Sequence, residues 1–304
     1  MNDQAIPASR TIVMTGATNG IGAAAIERLA RQPGTRVIVG ARGTGRKVPA
    51  GVEVLPLDLA SLDSVRAFAD GVVAELDDAP IDALILNAGT QASNQKGRTS
   101  DGFEMTFGVN HLAHYLLARL LAPRVADNGC LILTTSDTHD PAVTPLGPKS
   151  LDPAALAHPT GGGFGSGMRA YAASKLCNLL TARSFADAPE LAKRNITVIA
   201  FNPGFTVGTN LGGRSPRTQR IFAALVVPIF SIVGRFKPEF SAGKPERAGE
   251  VLAGLATGTV TPPPGKVYAS IVRGELTYPS PSTLALDDAQ RDGLWEKSAE
   301  MVGV

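Results

Sequence analysis

The chain has 304 residues, of which 44% are hydrophobic and 18% are charged, and its formal net charge is +2. This length suits one large α/β domain or two small ones, and the lack of lysine or arginine runs argues against a nucleic-acid partner. The two cysteines, Cys130 and Cys177, match neither a disulfide framework nor a metal-ligand spacing. We therefore expect a protein of the reducing cytoplasm that holds no metal.

Two segments bear on membranes. Residues 1–10 lack a basic stretch followed by an apolar core, so neither a signal peptide nor an anchor is expected. The most apolar window, 221–233, is interrupted by Pro228 and falls short of the roughly 20 apolar residues that span a bilayer. We interpret this window as a buried or substrate-facing segment, with contact to a membrane surface as the alternative.

A strand predicted over 11–15 runs into the loop Gly-Ala-Thr-Asn-Gly-Ile-Gly and then into an alanine-rich helix over 23–31. Gly16 permits the tight turn, Gly20 lets the backbone approach a pyrophosphate, and Gly22 lets the helix pack on the strand. The helix N-terminus offers unpaired amides to the anion. This order predicts a dinucleotide site rather than a plain turn, with contacts from Gly16, Thr18, Asn19, Gly20, Ile21 and Gly22.

The second predicted strand, 36–39, is followed by the position that discriminates between the two nicotinamide dinucleotides. An acidic side chain there would bind the adenosine ribose hydroxyls and repel a 2′-phosphate, but the sequence has Arg42, with Arg46 and Lys47 close behind. A guanidinium fork suits a phosphate. The sequence therefore favours NADP(H) over NAD(H), with a solvated basic loop as the alternative.

The third and fourth predicted strands, 52–57 and 83–86, also end in candidate cofactor contacts, with a predicted helix over 61–76 between them. A side chain just after the third strand can meet the adenine edge, and small residues after the fourth let a flat ring lie against the backbone. The alternative for the asparagine is an ordinary turn residue. The expected contacts are Asp58, Leu59, Asn87, Ala88 and Gly89.

One long helix is predicted over 101–124, and it carries Asn110 in its interior. Asparagine is mildly unfavourable inside a helix, so a solvent-facing position is expected unless the side chain has a partner. His111 and His114 are assigned to packing or to the surface.

The fifth predicted strand, 130–135, ends at Ser136, and the regular pattern stops there. The connection 137–167 is rich in proline and glycine, and long irregular connections inside compact domains are usually functional or mobile. We expect it to shape a substrate pocket, with a disordered insertion as the alternative.

A helix predicted over 169–181 carries Tyr171 and Lys175, which lie four residues apart and therefore on one face. An ammonium beside a phenol favours the phenolate, so we expect the pKa of Tyr171 to fall below its usual value. Tyr171 is then a candidate acid or base, against the alternative of a solvated helix face.

The remaining chain continues the alternation of strands and helices. A sixth strand over 196–201 ends in Asn-Pro-Gly, and a candidate lid over about 205–242 follows. A helix over 245–257, a seventh strand over 266–270 and a closing helix over 286–301 complete the pattern. The predicted fold is α/β: a single Rossmann-type domain with a doubly wound parallel sheet of about seven strands and helices on both faces. Its ligands are expected at the carboxyl ends of the strands.

The motifs and their order resemble the short-chain dehydrogenase/reductase family over nearly the whole chain. The motifs that carry this resemblance are Thr15-Gly16-Ala-Thr-Asn-Gly20-Ile-Gly22, Asp58, Asn87-Ala88-Gly89, Asn110, Ser136, Tyr171-Ala-Ala-Ser-Lys175 and Asn202-Pro203-Gly204.

The resemblance implies four catalytic residues. Tyr171 would exchange a proton with the substrate oxygen as hydride moves to or from the nicotinamide, and Ser136 would hydrogen-bond the same oxygen. Lys175 would hold the nicotinamide ribose and favour the tyrosinate, and Asn110 would bind a water that links Lys175 to solvent. The further cofactor contacts it implies are Pro203, Gly204 and Thr209, with the last near the carboxamide.

Within the family, the segments 101–111, 171–181 and 294–303 look like light-dependent protochlorophyllide oxidoreductases and, more loosely, retinol dehydrogenases. Two departures, Gly89 and the lack of a cysteine in 137–167, favour hydride transfer in the dark. We therefore expect NADP(H)-dependent reduction or oxidation of a bulky apolar carbonyl or alcohol by a monomer or homodimer. The alternatives are a light-driven tetrapyrrole reductase and an NADP(H)-sensing regulator without turnover.

Overall fold

The computed structural model describes residues 10–43, 45–206 and 243–304, and within these ranges one sheet forms the centre of the molecule. The strand order is β3-β2-β1-β4-β5-β6-β7-β8, with the first seven strands parallel and the last antiparallel to β7. The strands are β1 Arg10–Thr15, β2 Thr35–Ala41, β3 Val52–Pro56, β4 Ile81–Leu86, β5 Val125–Thr134, β6 Thr197–Asn202, β7 Tyr268–Val272 and β8 Glu275–Thr277.

Helices cover both faces of this sheet, as predicted. One face carries the second, third and fifth helices and the C-terminal helix. The other face carries the first and seventh helices, which pack together. The described helices are α1 Gly20–Leu29, α2 Leu62–Leu76, the composite α3 (Met105–Phe107, a π-helical turn Gly108–Leu112, and Ala113–Leu121), α4 Pro153–Ala157, α5 Ser166–Ala186, α6 Pro189–Lys193, α7 Pro245–Thr257 and α8 Asp288–Val302. The predicted doubly wound α/β fold is confirmed.

The structure adds an eighth strand that the sequence pattern did not predict. β8 is only three residues long and returns antiparallel to β7 through Arg273 and Gly274, both of which have positive φ. Two successive residues with positive φ are typical of a tight hairpin turn. So short a strand has too few residues to show an alternating pattern.

The prediction of one continuous helix over 101–124 is wrong at its start and in its interior. Gly102 has positive φ in a turn, and the Glu104 side chain caps the helix by accepting a hydrogen bond from the Phe107 amide at 2.8 Å. The helix therefore begins at Met105, and its second turn is the wider π-helical one. Turns of this kind occur frequently at functional sites.

The structure describes the connection 137–167 but not most of the lid that was predicted after β6. The connection contains a 3₁₀ turn, Asp137–His139, and the short helix α4. From residue 207 onward, the predicted lid and its apolar window 221–233 lie outside the described residues. No helix within the described ranges has the length and apolar character needed to cross a bilayer.

Candidate active site

Side-chain hydrogen bonds join the carboxyl ends of three adjacent strands. At the end of β1, the Thr15 Oγ1 atom accepts the amides of Asn87 and Ala88, both at 3.1 Å. Asn87 Nδ2 donates to the Gly16 carbonyl at 3.0 Å, and Thr134 Oγ1 at the end of β5 donates to Asn87 Oδ1 at 3.0 Å. Asn87 is therefore a brace between β1, β4 and β5 rather than an ordinary turn residue.

The glycine loop after β1 has the geometry of an anion cradle. Gly16 and Gly20 have φ of 68° and 54°, a region that side chains rarely adopt. A Cβ at Gly22 would lie 2.0 Å from the Gly16 carbonyl oxygen, so only glycine permits this approach of α1 to the loop. At the start of α1, Asn19 makes no side-chain cap and the first turn has no acidic residue. The helix amides are thus available to a pyrophosphate.

Gly22 and Gly71 offer a matched test of this packing because both lie inside helices. Alanine is the better helix former, so Gly71→Ala, whose Cβ would meet only Leu55 at 3.7 Å, should raise stability slightly. Gly22→Ala should instead destabilise the protein by about 1–3 kcal/mol or more through overpacking. Thermal denaturation should show Tm shifts of opposite sign. Equal shifts would contradict the tight contact at Gly22.

The residues predicted to meet the adenosine half lie at the same edge of the sheet, after β2 and β3. Arg42 is exposed, and its carbonyl accepts the Arg46 Nε at 2.7 Å, so the two basic side chains share one loop. Asp58 is also exposed, and its Oδ1 accepts the Ala60 amide at 3.1 Å. Because β3, β2 and β1 are neighbours, this basic loop and Asp58 flank the glycine cradle.

The helix that carries the tyrosine and lysine is buried on almost every face. Tyr171 is 8% exposed and Lys175 is 2% exposed, which excludes the solvated-face interpretation. Lys175 Nζ donates to the Thr134 carbonyl at 3.0 Å and lies 5.6 Å from the centroid of the Tyr171 ring. The Ser136 hydroxyl lies near the Tyr171 phenol. Three of the four predicted catalytic side chains therefore meet where the end of β5 packs against the N-terminal half of α5.

The expected direction of the Tyr171 pKa is wrong for this structure. Burial and the nearby Asp137 carboxylate raise the pKa of the Tyr171 phenol, and the nearby Ser136 hydroxyl opposes them only in part. The same burial lowers the pKa of Lys175 to about 8. Desolvation outweighs the attraction between ammonium and phenolate because neither charge is solvated here. Tyr171 is accordingly a protonated phenol, which suits it to donate a proton.

Asn110, the fourth predicted catalytic residue, has protein partners on both ends of its side chain. Its Oδ1 accepts the Thr90 amide at 2.7 Å, and its Nδ2 donates to the Thr90 carbonyl at 2.9 Å and to Ser174 Oγ at 3.0 Å. Ser174 Oγ donates in turn to the Tyr171 carbonyl at 2.7 Å. The side-chain amide thus finds its partners within the protein, and it fastens the π-helical turn to α5.

His114 links this turn to the glycine loop, a role that the sequence reasoning missed. Thr15 Oγ1 already accepts two amides, so its proton goes to His114 Nε2 at 2.9 Å, and His114 Nδ1 donates to the Asn110 carbonyl at 3.0 Å. Burial lowers the pKa of His114 to about 4, which keeps the ring neutral. The signal available in the sequence was the four-residue spacing from Asn110.

His139 supports the Ser136 turn in a similar way. Its Nδ1 donates to the Ser136 carbonyl at 2.6 Å, and its Nε2 accepts the Ser282 amide at 3.4 Å. The ring also packs edge-on against Tyr268, with centroids 5.4 Å apart. Burial lowers the pKa of His139, so the ring is neutral. No local pattern could predict this contact, since Ser282 is 143 positions away.

The last predicted cofactor contacts follow β6. Asn202 Oδ1 accepts the Gly204 amide at 3.0 Å, and Gly204 has φ of 70° with its missing Cβ only 2.5 Å from the Ile271 carbonyl oxygen. Pro203 and Gly204 thus form a rigid turn at the same sheet edge. Thr209 lies outside the described residues.

Known proteins match this chain along most of its length. Residues 10–143 match the family model for short chain dehydrogenases. Protochlorophyllide reductase B, a chloroplastic protein of Oryza sativa subsp. japonica, is 30% identical across 97% of this chain and 77% of the relative. Retinol dehydrogenase 14 of Homo sapiens is 31% identical across 99% of this chain and 89% of the relative.

Solved structures share the same architecture. An uncharacterized protein from Mycobacterium paratuberculosis has a TM-score of 0.71 and 29% identity, covering 98% of this chain and 96% of that one. An NADPH-bound short chain oxidoreductase from Pseudomonas aeruginosa PAO1 has a TM-score of 0.60 and 21% identity, covering 90% and 99%. The sequence relatives, the family model and the glycine cradle at the sheet edge lead to one assignment: the chain belongs to the short-chain dehydrogenase/reductase family.

Proposed function

We propose that this protein is an NADP(H)-dependent oxidoreductase that transfers a hydride between the nicotinamide and a carbonyl or alcohol of a bulky apolar substrate. The observation that carries the proposal is the buried Tyr171, which lies near Ser136 and has the Lys175 ammonium 5.6 Å from its ring centroid. This group lies at the carboxyl edge of the sheet beside the glycine cradle. Carbonyl reduction requires a hydride donor and a proton donor, and a proton donor next to a dinucleotide site brings the two together.

The cradle fits a dinucleotide because it combines positive-φ glycines and uncapped helix amides with a place at the point where the strand order reverses, between β1 and β4. When bound, NADPH supplies the hydride to the substrate carbon. The residues proposed to hold it are Gly16, Thr18, Asn19, Gly20, Ile21, Gly22, Arg42, Asp58, Leu59, Asn87, Ala88, Gly89, Tyr171, Lys175, Pro203, Gly204 and Thr209.

The chain's own residues account for the proton. In the reductive direction, Tyr171 gives its phenolic proton to the carbonyl oxygen while the Ser136 hydroxyl donates a hydrogen bond to the same oxygen. The tyrosinate left behind is stabilised by the Lys175 ammonium, which lies 5.6 Å from the ring centroid. In the oxidative direction the tyrosinate takes the proton from the alcohol. Asn110 positions the tyrosine helix through Ser174, and His114 positions the glycine loop through Thr15.

Arg42 supports the preference for NADP(H). It stands after β2, where an acidic residue would favour NAD(H), and the Pseudomonas structure was solved with NADPH bound. We expect Arg42→Gln to raise the KM for NADPH by about 10-fold to 100-fold, because a charged hydrogen bond contributes about 1.5–3 kcal/mol. The KM for NADH should change less than about twofold, since NADH lacks the phosphate.

Arg31→Gln is the matched control because Arg31 is exposed and, within the described ranges, forms an ion pair only with Glu27 one turn away. It should leave both KM values unchanged. Steady-state kinetics with each cofactor would settle the preference. A parallel rise of both KM values in Arg42→Gln would contradict a phosphate contact.

A bulky apolar substrate is supported by two observations. The relatives named above carry retinol and protochlorophyllide in their names, and both compounds are large and mainly apolar. Phe164 is fully exposed within the glycine-rich run that leads into α5. An exposed aromatic ring close in the chain to the Tyr171 helix offers contact area to such a substrate.

A substrate panel tests the proposal directly. Aryl, terpenoid, steroid and retinoid ketones and aldehydes would be incubated with NADPH, and cofactor oxidation followed by its absorbance. Reduction in the dark is the expected result. The second candidate, a light-driven tetrapyrrole reductase, is favoured by the rice relative and requires turnover of protochlorophyllide only under illumination. Binding of NADPH without turnover of any compound would instead indicate a cofactor-sensing regulator.

A further inference from the structure

A cleft of about 430 Å³ opens at the N-terminal end of α5, apart from the residues assigned above. Its walls come from the loop after β4 and from the glycine-rich run before α5. The lining includes two cations, Lys96 and Arg98, and no acidic side chain. A cleft lined by one sign of charge attracts ions of the opposite sign.

The start of α5 adds hydrogen-bond donors to this charge. Gly165 is the N-cap in a left-handed conformation and provides no side-chain cap, and the first turn has no acidic residue. The amides of Gly167 and Met168 have no acceptor among the described residues. Free amides and the positive end of a 21-residue helix favour an anion here.

A buried hydroxyl without a partner points to a ligand independently of the helix end. Ser166 lines the cleft, is 1% exposed, and its Oγ has no hydrogen-bond partner among the described residues. Buried hydroxyls are nearly always hydrogen-bonded, so this one requires an explanation. A change of the Ser166 χ1 rotamer would bring this hydroxyl to the cleft that the residue lines, where a bound anion would accept its proton.

The backbone is shaped to hold these walls together. A Cβ at Gly167 would lie 2.0 Å from the Ala92 carbonyl oxygen, so glycine is what allows the loop after β4 to touch the helix start. Lys96 is exposed, and no carboxylate pairs with it among the described residues. Arg98 Nη1 is engaged with the carbonyls of Gln95 and Gly97, which orients the guanidinium without neutralising it.

We propose that this cleft is an anion-binding site for a carboxylate or phosphate group, held by Lys96, Arg98, the Ser166 hydroxyl and the first amides of α5. Tyr171 lies on the same helix only five residues further on, a rise of about 7.5 Å. The anionic group therefore belongs either to a free anion or to the distal end of the substrate that reacts at Tyr171. The second assignment rests on the proposed function, whereas the site itself does not.

The existence of the site is tested without catalysis. Inorganic phosphate would be titrated into the protein saturated with NADP⁺, and the rise in Tm converted to an apparent affinity. Lys96→Gln and Arg98→Gln should each weaken phosphate about tenfold relative to wild type. Ser166→Ala should weaken it without lowering the Tm of the phosphate-free protein, because the lost hydroxyl has no partner. Lys193→Gln, at an exposed lysine on α6, should match wild type.

Comparing the variants separates phosphate binding in the cleft from binding elsewhere, because phosphate bound elsewhere would have the same affinity in all of them. Equal affinity in wild type, Lys96→Gln and Arg98→Gln would overturn the proposal. Two substrates identify the source of the anion: an aryl ketone that bears a terminal carboxylate, and the methyl ester of that ketone. If the substrate supplies the anion, Lys96→Gln should raise the KM of the acid about tenfold and change that of the ester less than about twofold.

A KM unchanged for both compounds, together with a positive phosphate titration, assigns the site to a free anion. If the wild-type protein reduces neither compound nor any ketone of the wider panel, the proposed function fails. The phosphate titration still decides whether the anion site exists.

Discussion

Replacing Tyr171 by phenylalanine is expected to lower kcat by roughly 10²–10⁴-fold, the range that general acid catalysis contributes. The variant removes only the phenolic oxygen, and the ring keeps its packing on the buried side of α5. Since the pKa of Tyr171 is raised by burial and by Asp137, the phenol is protonated at neutral pH and is the group positioned to donate. Loss of that proton should affect the chemical step, and NADPH should still bind because Lys175 and the glycine cradle are intact.

Tyr278→Phe is the matched control, since Tyr278 is partly exposed and follows the short edge strand β8. It should retain wild-type turnover. Fluorescence titration with NADPH and thermal denaturation of both variants would show that cofactor binding and fold are intact. Wild-type kcat in Tyr171→Phe would assign the proton transfer to another group.

Replacing Lys175 by methionine is expected to lower kcat/KM by about 10²-fold or more and to make the protein more stable. The loss of activity follows because the tyrosinate formed after proton donation is left without its ammonium. The gain in stability follows because Lys175 is 2% exposed and forms no ion pair in the part of the chain that the structure describes, and an unpaired buried ammonium is costly. Asn178 Nδ2 still donates to the Thr134 carbonyl at 3.1 Å, so that acceptor is not left unpaired. We expect the substitution to raise the free energy of unfolding by about 1–3 kcal/mol at pH 7.

The stability difference should depend on pH in a defined direction. The pKa of Lys175 is lowered by burial from 10.5 to about 8. Between these values the unfolded chain binds more protons than the folded protein, so the stability of the wild type rises with pH across this window. The advantage of Lys175→Met should therefore be largest below pH 8 and vanish near pH 10.5. Denaturant titrations from pH 7 to pH 10.5 measure it.

Ketone reduction by the wild type should decline as the pH rises through about 8, because Lys175 then loses its charge. Lys193→Met, at an exposed site, should alter neither stability nor this profile. A Lys175→Met protein that is less stable than wild type at pH 7 would contradict a costly buried ammonium. It would show that the bond from Nζ to the Thr134 carbonyl outweighs desolvation.

Much of the cofactor cradle was predictable because its determinants are local in the chain. Gly16, Gly20 and Gly22 act within one strand, turn and helix, and their need for positive φ or close approach is a property of the glycines themselves. The strand ends that carry Asn87 and Ser136 followed from runs of β-branched and apolar residues. Parallel strands then bring their carboxyl ends to one edge.

Features that depend on contacts between distant residues were not predictable from local patterns. The chain pairs His114 with Thr15, 99 positions away, and His139 with Ser282, 143 positions away. The π-helical turn around Asn110 is also a tertiary feature, because its amide binds Thr90 and Ser174 on two other elements. An asparagine that is unfavourable in an isolated helix becomes favourable when the fold supplies its partners.

By itself, the sequence determined the order of strands and helices, the position of the glycine cradle and the identity of the residues that meet at the sheet edge. Hydrophobic periodicity and glycine stereochemistry are short-range properties, so they can be read along the chain. Only the tertiary structure decided the direction in which the pKa values of the groups at that edge shift. The local pairing of Tyr171 with Lys175 predicted a lowered phenol pKa, but the surrounding fold excludes water from both groups and reverses the direction. Desolvation is set by everything that packs around a group, which no spacing along one helix can specify.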